Sequence, residues 1–175
     1  MKNNLIILFV LFNSTMLFAQ NDWQTLEKDN FAISYPKDWV SSDQKPQPTI
    51  AILLLSDEES QKTDQFRENI NLNLEDLKGQ TLSLDEYAKI SIDQIKNQIP
   101  NAEILSNGTT KINGWEAKSV VWHADFGNNM TLKFKQVFLL NNGIAYVLTY
   151  SSTKTEYDDY FEVADKIINS FNFAK

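Results

Sequence analysis

The chain has 175 residues, with 23 Asp and Glu against 16 Lys and Arg, a formal net charge of −7 and no cysteine. An acidic chain without a basic run is a poor match for nucleic acid or an anionic membrane surface. Without cysteine it can form neither disulfides nor thiolate metal sites, and its length suits one domain that is stable without such staples.

Met1-Lys2-Asn3-Asn4 followed by the apolar run Leu5–Phe12 has the layout of a secretory signal peptide. The run is shorter than the roughly 20 apolar residues that span a bilayer. Ala19 supplies the small residue a signal peptidase needs, which predicts cleavage after Ala19 or Gln20. The expectation is a signal peptide over 1–20 and a single exported domain over 21–175, periplasmic or extracellular and not membrane-spanning once cleaved.

Trp23–Asn30 reads as a short polar lead-in, and Phe31–Tyr35 as a half-buried strand ended by Pro36. Ser41–Pro48, with two prolines, reads as a surface loop, and the apolar Ile50–Leu55 as a central strand covered on both faces. Asp57–Gln65 reads as a charged loop. In Asn69–Leu74, Ile70, Leu72 and Leu74 alternate with three asparagines, so the apolar three face a core. Ser83-Leu84-Asp85-Glu86 has the spacing of a capping box and opens a helix that Pro100 stops. Thr153-Lys154-Thr155-Glu156 has the same spacing, ahead of an apolar stripe through Tyr157, Tyr160, Phe161, Ala164, Ile167, Ile168 and Phe171.

Between the helices lie four predicted strands, Ala102–Lys111, Trp115–Phe126, Met130–Leu140 and Ile144–Ser151, joined by turn signals at Asn113-Gly114, Gly127-Asn128-Asn129 and Asn141-Asn142-Gly143. Treating the last two signals as three-residue loops sets Trp122 against Phe134 and Phe138 against Tyr146. That register gathers the aromatics on one face. The other face then carries Val121, His123, Asp125, Thr131, Lys133, Lys135, Thr149 and Ser151, with an apolar end at Val137, Leu139, Ala145 and Val147 for one helix to cover. The order of elements predicts an α+β fold in which an antiparallel sheet is sandwiched between α-helices.

Phe31-Ala32-Ile33-Ser34-Tyr35-Pro36-Lys37-Asp38-Trp39 resembles the opening of PsbP-like domains, and Ser83–Ala88 the start of their first helix. Ile112-Asn113-Gly114 and Ile167–Phe171 are similar to later landmarks of the same family, in the same order. The resemblance implies a PsbP-like α/β/α sandwich, a fold shared with DcrB-like envelope proteins and a Ran-binding nuclear transport factor. It implies binding of other proteins rather than chemistry, and it supplies no active-site residues.

His123 is the single histidine, which excludes metal sites that need two. His123, Asp125 and Ser151 make up the residue list of a hydrolase triad, but no Gly-x-Ser-x-Gly turn accompanies them. Asp57, Glu58, Glu59 and Asp64 lack the alternating spacing of a calcium loop. No catalytic residue, metal ligand or cofactor is therefore expected. What remains is a local cationic strip of His123, Lys133, Lys135, Thr149 and Ser151 that could dock an acidic partner. The expected function is an exported, non-catalytic binding or assembly module of the bacterial cell envelope whose partner is another envelope protein. The alternatives are a small-molecule or lipid carrier with a cavity between helix and sheet, and a hydrolase using His123.

Overall fold

The computed structural model describes residues 23–44 and 46–174, so the predicted signal peptide lies outside the described residues. Trp23–Asn30 is not merely a lead-in: β1 (Trp23–Lys28) pairs antiparallel with β2 (Phe31–Pro36). β3 (Val40–Ser41) and β4 (Ile50–Leu55) follow. The stretch read as a charged loop winds into a 3-10 turn at Glu58–Ser60 and a one-turn helix, α1 (Gln61–Asp64), because Asp57 caps its start by accepting from the Glu59 amide at 2.9 Å. Next come β5 (Asn69–Asp76) and α2 (Leu84–Gln98). The capping box forms as the spacing predicts: Ser83 Oγ accepts from the Glu86 amide at 3.2 Å while Glu86 accepts from the Ser83 amide at 2.8 Å. β6 (Glu103–Ile112), β7 (Trp115–Asp125), β8 (Thr131–Asn141) and β9 (Ile144–Thr153) form the meander; α3 (Tyr157–Ser170) and β10 (Asn172–Phe173) close the chain.

The second capping box does not form. Thr153 stays in the sheet opposite Leu132, and Lys154 donates its amide to the Thr131 carbonyl at 2.8 Å. Glu156 takes the N-cap position without a side-chain cap. Strand pairing holds Thr153 in the extended ladder and away from the helix end.

The large sheet has the order β3-β4-β5-β9-β8-β7-β6, every recorded pairing antiparallel, and β1-β2-β10 forms a small second sheet. α3 and the small sheet cover one face, with a core built from Ile33, Trp39, Leu54, Ile70, Leu72, Leu148, Tyr150, Ile167 and Phe171. α2 covers part of the other, over Val120, Trp122, Ala124, Phe138 and Val147. β4 lies second from an edge rather than centrally. Ile50, Ile52 and Leu54 are buried, while Ala51, Leu53 and Leu55 are only half-buried. No helix among the described residues is long and apolar enough to cross a membrane.

The β7–β8 register is the expected one, with Trp122 opposite Phe134 and Ala124 opposite Leu132. The β8–β9 register is one residue away from it. Asn142 and Gly143 both take positive φ, 51° and 76°, so they form a two-residue turn and Asn141 pairs with Ile144. Leu139 then faces Tyr146, and Phe138 faces Val147. The expectation rested on segregating aromatics to one side, but a sheet covered on both sides needs apolar residues on both. Tyr146, Leu148 and Tyr150 therefore join the α3 core, and Ala145 and Val147 the α2 core.

Trp122 is 4% exposed and stacks on Phe134 with ring centroids 4.1 Å apart. Trp122→Ala is expected to destabilise the chain by about 3–5 kcal/mol in urea denaturation; a loss under about 1 kcal/mol would contradict this packing.

Candidate functional site

The one-residue difference in register divides the predicted cationic strip. His123 and Lys133 are opposite one another, and Lys135 is opposite Tyr150, so these three side chains share the α3 face. Thr149 is opposite Gln136 and Ser151 opposite Phe134, which puts both on the α2 face. The five residues therefore form no continuous strip.

The lysines on the α3 face are held by the helix above them. Lys133 Nζ is 3.5 Å from the Asp158 carboxylate and 3.8 Å from the centre of the Tyr157 ring. Lys135 pairs with Asp165 and sits 5.2 Å from the Phe161 ring. Each side chain lays its alkyl stem on apolar surface and delivers its charge to an acid and an aromatic face of α3. His123 Nε2 lies 3.1 Å from Glu103 Oε2 on the neighbouring strand. Asp125 accepts from the Gly127 amide at 2.8 Å and so braces the hairpin turn. With Ser151 on the opposite face, the residues of the hydrolase triad cannot converge. Of the acids considered for calcium, Glu59 pairs with Lys62 and Glu58 lies 3.7 Å from Arg67. The described residues contain no cluster of three or more groups suited to a metal ion.

The α2 face carries a different chemistry, whose residues the sequence pattern did not single out together. Trp122 Nε1 donates to Gln136 Oε1 at 3.1 Å, and Gln136 Nε2 donates to Thr149 Oγ1 at 3.2 Å. Thr149 and Ser151 are both buried here, 7% and 6% exposed. Asn69 lies opposite Ser151, and Asn71 opposite Thr149, continuing the row of neutral polar groups onto β5. α2 packs over β6, β7 and β8; beyond it Leu53, Leu55, Asn69, Asn71 and Asn73 are half-buried. A cleft of about 200 Å³ opens along this seam, lined by Tyr87, Ser91, Gln94 and Ile95 of the helix and Glu75, Gln136 and Val147 of the sheet. Tyr87 donates to Glu75 at 2.6 Å across its mouth. A second cleft of about 340 Å³ lies between α2 and the β6–β7 hairpin, and one of about 480 Å³ at the β7–β8 turn beside Thr153–Thr155.

Three tyrosines are strongly perturbed. Burial pushes the Tyr87 hydroxyl far above its ordinary value, with the Glu75 carboxylate adding to the shift. Burial does the same at Tyr150, which donates to the Tyr157 carbonyl at 2.9 Å, and at Tyr157 itself. All three are packing tyrosines whose neutral form the fold requires. Glu68, fully buried, accepts from Ser152 at 3.2 Å under the same end of α3.

The sequence profile of PsbP-like protein matches residues 12–173. The chain belongs to the PsbP-like family. No curated protein matches it by sequence. Among solved structures, this PsbP-like chain is similar to cyanobacterial PsbP (CyanoP) from Synechocystis, with a TM-score of 0.64 at 14% identity over 93% of this chain and 99% of that one. It is also similar to LpqN, involved in cell envelope biogenesis of Mycobacterium tuberculosis, with a TM-score of 0.63 at 12% identity over 88% and 91%. The Ran-binding protein Mog1p of Saccharomyces cerevisiae gives 0.60 at 10% identity over 86% and 95%. At these identities the likeness establishes a common α+β fold, as the PsbP-like resemblance implies.

The tyrosines predict the alkaline limit of the PsbP-like fold. Their folded values lie above the ordinary 10, so their contribution to stability is complete below pH 10 and is lost as pH rises beyond it. In a tyrosinate absorbance titration, Tyr87, Tyr150 and Tyr157 are expected to ionise only as circular dichroism reports unfolding. Ionisation of all six tyrosines near pH 10 with the fold intact would contradict their burial.

Proposed function

We propose that the chain is an exported, non-catalytic binding module of the bacterial cell envelope whose partner is another envelope protein. The observation that carries the reading is the separation of its catalytic candidates: His123 is engaged by Glu103 on one face of the sheet while Ser151 lies on the other. A sheet whose reactive side chains are tied up within the fold offers surface rather than chemistry. Membership of the PsbP-like family and the likeness to LpqN support an envelope setting. The signal-peptide layout of the first residues supports export.

The covered lysines direct the search for the protein partner away from the strip and toward a sheet edge. β6 offers ten residues with an unpaired outer edge, whereas the opposite edge strand, β3, has two. Leu105 sits at a register shift in β6 and is 45% exposed. Such an edge suits strand addition, in which main-chain bonds bind and one exposed side chain selects. The cleft beside α2 favours a small polar ligand as a second reading. At about 200 Å³ it is below the roughly 300–1,000 Å³ usual for drug-sized ligands, whereas the cleft on the other side of α2, at about 340 Å³, falls at the lower end of that range.

The mature chain used as bait in envelope extract is expected to enrich a defined partner. Leu105→Lys with Asn107→Lys, both at exposed positions, is expected to abolish that enrichment by charging the edge. Enrichment that survives the double change would move the interface off β6. A failure of the unaltered mature chain to enrich any protein would contradict the partner reading, and hydrolysis of model esters that His123→Ala abolishes would overturn the non-catalytic one.

A further inference from the structure

We infer that the cleft between α2 and the sheet at Glu75 is a binding site for a small organic primary amine, with its ammonium group against the Glu75 carboxylate. The inference rests on the small-ligand reading of that cleft and names the chemistry of the ligand. It uses no residue of the protein-docking edge.

The first argument is charge. Glu75 is the one charged side chain among the described residues that line the cleft. Asn73 Nδ2 donates to Glu75 Oε1 at 3.0 Å and the Tyr87 hydroxyl donates to Oε2 at 2.6 Å, so neutral donors from strand and helix hold the carboxylate in place. Among the described residues no lysine, arginine or histidine pairs with it. A carboxylate positioned by neutral groups keeps its charge for a visiting cation, and a chain of net charge −7 draws cations toward it. The cleft on the other side of α2 lacks this bias, because Lys89, Lys96 and Lys118 line it beside Asp85 and Asp93.

The second argument is the direction of the hydrogen bonds. Tyr87 has one hydroxyl proton and gives it to Glu75. Ser91 has one and gives it to the Tyr87 carbonyl at 2.9 Å, one turn back along α2. Both hydroxyl oxygens line the cleft with their protons committed, so together with the carboxylate they are left as acceptors. An ammonium group is the complement, with three N–H donors and no acceptor. A hydroxyl ligand would bring lone pairs that these three residues cannot serve, and a carboxylate ligand would bring nothing else. Gln94 and Gln98, exposed on the same side of α2, are free to turn their carbonyl oxygens toward the same head group.

The third argument is size and lining. The volume of about 200 Å³ holds on the order of six water-sized groups at about 30 Å³ each. Ile95, Phe138 and Val147 supply apolar wall and are all buried. A metal ion would leave that wall unused and requires several oxygen ligands, whereas the described residues hold no cluster of three acidic or imidazole groups. An amine with a short alkyl body covers the wall and brings its charge to Glu75.

The test compares three ligands with one alkyl body: n-pentylamine, 1-pentanol and pentanoate. Each is titrated into the isotopically labelled mature chain at neutral pH in about 0.15 M salt, which screens general attraction to an acidic surface. Amide shifts are followed by NMR. Pentylamine is expected to saturate, with the largest shifts at Ser91, Gln94 and Val147; pentanol is expected to bind at least tenfold more weakly, and pentanoate not to saturate. Glu75→Gln, at an exposed position, is expected to weaken pentylamine tenfold or more with the remaining spectrum unchanged, whereas Asp76→Asn, its exposed neighbour, is expected to leave binding as it was. No saturation by pentylamine at tens of millimolar would overturn the inference and the small-ligand reading together. Equal binding of pentanol would overturn the amine while leaving a small-ligand cleft. An equal loss in Asp76→Asn would reduce the effect to general attraction of cations and would also overturn it. Capture of an envelope protein at β6 is untouched by all of these outcomes, so the two readings fail separately.

Discussion

The arrangement of both faces depends on the phase of one hairpin. Asn142 and Gly143 both adopt positive φ and make the β8–β9 turn two residues long. Strand side chains alternate with a period of two, so a turn longer by one residue would send every residue of β9 to the other face. With the turn as it is, Tyr146, Leu148 and Tyr150 reach the α3 core, while Val147, Thr149 and Ser151 are delivered to the α2 face. Asparagine and glycine are the residue types that adopt left-handed backbone most readily, so the turn sequence and the division of β9 between two cores are one constraint.

The same phase decides what the charged residues do. Lys133 and Lys135 project toward α3 and meet Asp158, Asp165 and the rings of Tyr157 and Phe161. The cations help fasten the helix to the sheet. Their desolvation is offset within the fold, and little of their charge is left for an external partner. The α2 face has no equivalent requirement. Its helix covers only the β6–β8 side, and the remaining half carries amides and hydroxyls already joined to the core by the indole of Trp122.

Much of the fold was legible residue by residue. The alternation of Ile70, Leu72 and Leu74, the Ser83–Glu86 cap and the Trp122–Phe134 pairing each rest on local chemistry strong enough to read directly. The misread elements are those in which a distant partner decides. Thr153 resembles a helix cap in isolation, but its pairing with Leu132 keeps it in the sheet. Trp23–Lys28 becomes a strand because β2 offers an edge. The candidate surface was the least legible. His123, Lys133 and Lys135 share a face, whereas Thr149 and Ser151 would join them only if the β8–β9 turn had three residues instead of two. The hydrogen-bonded chain through Gln136 spans three strands, so no local pattern carries it.

The direct test of this account is the β8–β9 register itself. The chain has no cysteine, so an engineered pair reports on its own proximity without background. Two double variants are compared under mild oxidation: Gln136→Cys with Thr149→Cys, and Gln136→Cys with Leu148→Cys. Directly opposed residues have Cβ atoms within about 4.5–5.5 Å on the same face, whereas neighbours offset by one residue point to opposite faces. The account predicts a disulfide in the first variant and free thiols in the second. The reverse result would return Thr149 and Ser151 to the face of Lys133 and Lys135, and would contradict the division of β9 on which both cores depend.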